Sequence, residues 1–141
     1  MSLKGPIIVI DDDPDDREMI EAMLQELALV NQVRFFGNGQ RALDYLLTTL
    51  ESPLLILCDI NVPIMNGLEL RDQIDADPYL KNKSIPFIFL TTSDSPTLVR
   101  QAYNGTIQGY FQKCNSFQEG KDHLQLIIGY WKLCLHPNNL K

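Results

Sequence analysis

Four charged side chains and two hydroxyls stand where short apolar runs end. Asp11 and Asp12 follow Pro6-Ile7-Ile8-Val9-Ile10, and Asp59 follows Leu54-Leu55-Ile56-Leu57-Cys58. Thr91 and Thr92 follow Phe87-Ile88-Phe89-Leu90, and Lys113 comes just after the stretch from Ile107 to Phe111. If these runs are strands of one parallel sheet, all six residues share its carboxyl edge, where open α/β sheets bind their ligands. Three carboxylates in a partly desolvated cleft repel, so either protons are retained or a cation lies among them. A hard divalent ion is the simpler answer, and carboxylate, carbonyl and water ligands suit Mg²⁺. Lys113 adds positive charge with no acid-base role required. Carboxylate, Mg²⁺, lysine and hydroxyl together have the parts for phosphoryl transfer, where positioning and charge neutralisation dominate. A carboxylate can itself be the nucleophile, giving an acyl phosphate. Of the two histidines, His123 falls in the last helical stretch and His136 in the tail. Both lie far along the chain from the strand ends and are expected to be surface or packing residues.

The elements that must position these residues follow a regular alternation. Each apolar run ending in polar residues fits a strand buried on both faces of a parallel sheet. After the first, Asp13 is the expected N-cap, with Pro14 at the first helical position and Asp15 and Asp16 at the positive end of the helix dipole. Asp13, Asp15 and Asp16 are therefore read as a solvated helix start. Ile20, Met23, Leu24 and Leu27 supply that helix with a buried stripe. Val33-Arg34-Phe35-Phe36 reads as a second strand, and Asn38-Gly39 opens a helix whose Ala42, Leu43, Leu46 and Leu47 share a face. Asn66-Gly67 opens a third helix, with Leu70 and Ile74 inward and Asp77-Pro78 as its stop. Ser95-Pro96 starts a fourth that runs to about Tyr103, where Asn104-Gly105 ends it. Ser116 and Glu119 have the spacing of a capping box before a fifth, carrying Leu124, Ile127, Ile128 and Trp131 on one side. Five strands alternating with five helices imply an α/β, doubly wound parallel sheet with helices on both faces.

Bulk properties narrow the function classes. A length of 141 residues fits one domain spanning 1–141, with a core from about 6 to 131. A hydrophobic fraction of 45% with 21% charged residues is ordinary for a globular protein. The apolar runs are strand-sized, short of the roughly 20 residues of a transmembrane helix. No secretory signal is read at Met1-Ser2-Leu3-Lys4-Gly5, so the cytoplasm is the expected location. The net charge of -6, without a clustered basic surface, argues against nucleic-acid binding. Cys58, Cys114 and Cys134 are odd in number with no CxxC spacing, which favours reduced thiols over disulfides or zinc.

These motifs, taken together and in order, resemble the receiver domain of response regulators from about Pro6 to Trp131. Asp11-Asp12 is similar to the acidic pair of that family, and the segment from Asp59 to Gly67 to its phosphoacceptor loop. Leu90-Thr91-Thr92-Ser93 is similar to its switch-hydroxyl segment, and Gly109-Tyr110-Phe111-Gln112-Lys113 to its aromatic and lysine segment. The resemblance implies a (βα)5 flavodoxin-like fold with strand order 2-1-3-4-5. It implies phosphorylation of Asp59, with Mg²⁺ held by Asp12, Asp59 and the backbone carbonyl of Asn61 and with Asp11 acting mainly through water. Thr91 and Lys113 would contact phosphoryl oxygens, and Tyr110 would change rotamer as Thr91 moves. The implied donor is a phosphohistidine on a sensor histidine kinase or histidine phosphotransfer protein. The implied output is onward phosphotransfer or a downstream protein contact through the fourth helix, fifth strand and fifth helix. No output domain is expected, and the unit would be a monomer or a homodimer formed on phosphorylation. Asp-rich segment one, Asp77-Pro78 and Tyr130-Trp131 resemble the single-domain subgroup that includes the cyanobacterial phytochrome response regulators.

Two departures and three rival readings accompany that resemblance. Cys114 stands where the family usually has a cis proline, and since a non-proline cis bond costs about 2.5–4 kcal/mol, a trans Lys113-Cys114 bond is expected. Thr92 stands where the family often has alanine or glycine, and its bulk is expected to slow entry of water and give slow to moderate autodephosphorylation. Asn61 and Ser93, at positions that influence that rate in the family, leave the lifetime open. A pseudo-receiver acting only through contacts would not need Asp11, Asp12, Asp59, Thr91 and Lys113 together. A phosphatase with an Asp-x-Asp pair is disfavoured because Asn61 cannot be its general acid. A flavin carrier of the same sheet order would be expected to have a hydroxyl-rich loop where this chain has aspartates.

Overall fold

The computed structural model describes residues 3–135, so His136 lies outside the described residues. The strands are β1 (Ile7–Ile10), β2 (Val33–Phe36), β3 (Leu55–Cys58), β4 (Phe87–Thr91) and β5 (Gly109–Gln112). All pair in parallel in the order β2-β1-β3-β4-β5. The helices are α1 (Pro14–Glu26), α2 (Gly39–Thr48), α3 (Gly67–Ala76), α4 (Pro78–Lys83), α5 (Pro96–Tyr103) and α6 (Phe117–Leu133).

Alternation along the strands divides the core in two. Ile7, Val9, Leu55, Leu57, Ile88 and Leu90 face one way and pack with Ile20, Met23 and Leu24 of α1 and Leu124, Ile127 and Ile128 of α6. Their neighbours Ile8, Ile10, Ile56, Cys58, Phe87 and Phe89 face the other way, toward α2, α3, α4 and α5. Because successive strand residues point to opposite faces, a sheet buried on both sides must be apolar at every position, as β1, β3 and β4 are.

The expectation of five helices is corrected to six. Asp77-Pro78 does end α3, but the Asp77 carboxylate also accepts the Leu80 N–H at 3.0 Å, and Pro78 occupies the first turn of α4. The same dipeptide stops one helix and starts the next, since proline suits a first turn as well as it blocks an interior. The helix is six residues long and buries Leu80 alone, too little for a periodic signal. Leu47 is also corrected: at 41% exposure it sits off the buried face held by Ala42, Leu43 and Leu46. The Ser116 hydroxyl accepts the Glu119 N–H at 3.3 Å, which is half of the expected box. The full reciprocal box lies at Asn66 and Glu69, opening α3.

Candidate functional site

Register brings the predicted residues together. Ile10 pairs with Cys58, so Asp11 and Asp59 are each the next residue on adjacent strands. The ladder continues past both, with Asp59 N–H donating to Ile10 O at 2.9 Å and Asp11 N–H to Phe36 O at 3.0 Å. Thr91 closes β4, and its carbonyl accepts the Lys113 N–H at 2.7 Å. Lys113 thus leaves the sheet edge level with Thr91, and its long stem reaches past the end of β4 to the carboxylates.

The Lys113 ammonium is the hub of the cleft. It donates to Asp11 Oδ2 at 2.6 Å, Asp16 Oδ2 at 2.8 Å and Asp59 Oδ2 at 3.1 Å, which uses its three protons. The Lys113 side chain is 11% exposed, Asp59 12% and Asp11 2%. Burial opposes the Lys113 charge, yet hydrogen bonds to Asp11 and Asp16 and the charge of Asp59 hold its pKa above the ordinary lysine value. Burial also pushes Asp11 up, more than its hydrogen bonds to Lys113 and the Asp13 N–H pull it down. The two directions agree physically: one ammonium serves three carboxylates, so the cation is oversupplied with partners and the buried anion undersupplied.

Asp16 is the residue that sequence reasoning missed. Its expected role as part of a solvated helix start is corrected by the bond to Lys113. Asp13 does cap α1, accepting from the N–H groups of Asp15 and Asp16. Side chains in a helix tilt toward its N-terminus, so a carboxylate in the first turn of α1 leans back over the end of β1. That tilt was the available signal. Asp12 and Asn61, by contrast, are exposed.

Thr91 and Tyr110 complete the site. Thr91 is fully buried, and its Oγ1 has no hydrogen-bond partner among the described residues. Such a group costs about 1–3 kcal/mol when left unsatisfied, and a hydroxyl held in that state is ready for an acceptor. The Tyr110 hydroxyl donates to Ser93 O at 2.7 Å, tying β5 to the loop after β4, while its ring lies 6.1 Å from that of Phe89. Burial pushes the Tyr110 phenol up.

The segment after Asp59 is sterically tight. A Cβ at Gly67 would stand 2.6 Å from Asp59 O, so glycine lets α3 begin against the backbone of Asp59. Ile64 has φ 69° inside a three-residue turn closed by Met65 N–H to Pro63 O at 2.8 Å. A β-branched residue there carries backbone strain on the order of 1–3 kcal/mol, of the kind stored beside functional sites. Asp59 Oδ1 accepts the Asn61 N–H at 3.3 Å. Cys58 is buried, its thiol pushed well up by burial, and it donates to Asp59 O. The Lys113-Cys114 peptide is trans, as expected.

The donor chemistry of the cleft fits a hard divalent ion. Asp11, Asp12 and Asp59 offer only carboxylate oxygens at the strand ends, and Asn61 adds a carbonyl. Oxygen donors of this kind suit Mg²⁺ or Mn²⁺. Among the described residues, no helix is long and apolar enough to cross a membrane.

Comparison with known proteins bears on this arrangement. The chain is 29% identical to the probable methanogenesis regulatory protein FilR2 of Methanothrix harundinacea, over 89% of this chain and 82% of that protein. It is 26% identical to the response regulator Rcp1 of Synechocystis, over 89% of this chain and 87% of Rcp1. A crystal structure of the Mn²⁺-bound form of Rcp1 superposes with a TM-score of 0.79 at 24% identity, covering 94% of this chain and 97% of that one. The phosphorylated cyanobacterial phytochrome response regulator RcpA superposes with a TM-score of 0.83 at 25% identity, covering 94% and 96% of the two chains. Residues 7–125 match the response regulator receiver domain, and the chain belongs to that family.

Proposed function

We propose that this receiver domain accepts a phosphoryl group on Asp59 from a phosphohistidine donor. The observation that carries the reading is the Lys113 ammonium, 3.1 Å from Asp59 Oδ2 and bonded to Asp11 and Asp16. A nucleophilic carboxylate must accept a phosphoryl group bearing further negative charge, and an ammonium already held beside it offsets that charge. In the step, an Asp59 oxygen bonds to phosphorus as the phosphorus–nitrogen bond of the donor breaks, and the electron pair leaves with the imidazole nitrogen. Lys113 then turns from carboxylate partners to a phosphoryl oxygen, and the Thr91 hydroxyl gains the acceptor it lacks. Mg²⁺, held by Asp12, Asp59 and the Asn61 carbonyl with Asp11 acting through water, would supply further charge neutralisation.

Signal output follows from the same atoms. Movement of Thr91 toward the phosphoryl group opens room beside Tyr110, whose bond to Ser93 O is the contact that must break. The readout is the surface of α5, β5 and α6, offered to a downstream protein or to a second copy after phosphorylation. The match spans 82% of FilR2 and 87% of Rcp1, which supports reading residues 7–125 as one receiver unit. Incubation with acetyl phosphate and Mg²⁺ should add one phosphoryl group by intact mass, and Asp59→Asn should add none. A folded wild-type protein that stays unmodified would favour the phosphorylation-independent binding module instead.

A further inference from the structure

Lys113 belongs to the acidic cleft, while the next residue belongs to a different cluster. Cys114 Sγ lies 3.3 Å from His123 Nδ1, and ligand atoms of Cys114, Glu119 and His123 all fall within 4.8 Å of one another. We propose that Cys114, Glu119 and His123 form a second cation site, for a borderline divalent metal such as Zn²⁺, separate from the oxygen-lined cleft.

Three features support it. The donor set is one sulfur, one nitrogen and one oxygen, the mixture Zn²⁺ takes and Mg²⁺ does not. Bonds of 2.0–2.3 Å in a tetrahedral site separate ligand atoms by roughly 3.3–3.7 Å. The Cys114–His123 pair at 3.3 Å already fits, and the set as a whole, within 4.8 Å, closes by side-chain movement of about 1 Å. The backbone also supplies two of the ligands in a fixed relation: Glu119 and His123 are four apart on α6 and share a face, and the Ser116 cap anchors the turn that carries Glu119. Three protein ligands leave the fourth position to water.

Competing uses of the cluster are weaker. A cysteine-histidine nucleophile needs a thiolate in the free protein, whereas burial and the Glu119 carboxylate push the Cys114 thiol up; a bound divalent ion would itself displace the proton. A disulfide has no partner, since Cys58, Cys114 and Cys134 are all free. The cluster borders a small cavity also lined by Asp16 and Lys113, so an ion on Cys114 would sit beside the residue that bonds Asp59.

Titration of the reduced protein with Co²⁺ in excess Mg²⁺ separates this site from the cleft. One equivalent of Co²⁺ should produce a sulfur-to-cobalt charge-transfer band that Zn²⁺ abolishes by displacement. Cys114→Ser should remove the band, and His123→Ala should weaken binding by at least about tenfold, the lower bound for losing even an outer partner of a bound metal. Cys134→Ser should leave the band unchanged. A wild-type protein with no sulfur band, a band that survives Cys114→Ser, or affinity unmoved by His123→Ala would reduce the cluster to a thiol–imidazole hydrogen bond and overturn the proposal. Because Mg²⁺ is present throughout and phosphorylation is not read, the outcome is independent of whether Asp59 is phosphorylated.

Discussion

Two polar clusters meet at the peptide between Lys113 and Cys114, and they differ in what they lack. On the Lys113 side, three carboxylates converge on one ammonium, and the buried Asp11 remains short of positive charge. On the Cys114 side, a thiol, a carboxylate and an imidazole bring ligand atoms within 4.8 Å of one another. The first cluster is short of positive charge, whereas the second holds a single carboxylate beside a protonated thiol, and the donors of the two suit different ions. Oxygen alone favours a hard ion that keeps its water, and sulfur with nitrogen favours a borderline one. Neighbouring positions in the chain can thus serve unlike chemistry, because one side chain extends over the sheet end and the next returns toward α6.

Removing the one cation on the acidic side should have the largest effect. Lys113→Met leaves Asp11 buried without its partner, and in metal-free buffer at neutral pH it should lose about 3 kcal/mol of stability, the scale of a broken buried pair. Urea unfolding with and without Mg²⁺ checks this: Mg²⁺ should recover most of the loss, and an equal loss in both conditions would mean that the acidic cleft is not short of positive charge. The pH profile sharpens it. Lys113 has a raised folded pKa, so its contribution is complete below the ordinary lysine value of 10.5 and is lost as pH climbs through the higher folded value. Metal-free wild type should therefore show an alkaline decline that Lys113→Met lacks.

The remaining tests concern the oxygen side alone. Thr91→Val removes a buried hydroxyl with no partner, so thermal unfolding should show a gain of about 1 kcal/mol. The same variant should lose the change in the spectrum of α5 and β5 when beryllofluoride is added, separating stability from switching. A loss of stability would mean that the hydroxyl is already satisfied. Tyr110→Phe deletes the bond to Ser93 O and should cost no more than about 1 kcal/mol. Its backbone signals at Ser93 and Asp94 should move toward those of the phosphorylated wild type.

Much of the fold and site was legible because its determinants are local or periodic. Unbroken apolar runs at β1, β3 and β4 identify strands covered on both faces, and polar residues at their ends mark the ligand edge. Asp11, Asp59 and Thr91 could be placed there because each directly follows or closes such a run, and Lys113 because it comes just after the fifth strand. The short α4 escaped since a six-residue helix with one buried side chain has no period to read. Leu47 was misplaced because position along a helix face decides burial only where another element covers that face.

Residue types and their order therefore determined the sheet, its helices and the set of atoms available at its carboxyl edge. Tertiary structure alone decided which of them touch. Parallel register set Asp11 beside Asp59, the packing of α1 over the sheet brought Asp16 to Lys113, and packing left Thr91 Oγ1 without a partner among the described residues. The turn before α6 set Cys114 against Glu119 and His123, a spacing that matches no familiar metal motif. Local propensity acts through neighbours in sequence, whereas hydrogen bonding and charge balance depend on distances that exist only after the chain has closed on itself.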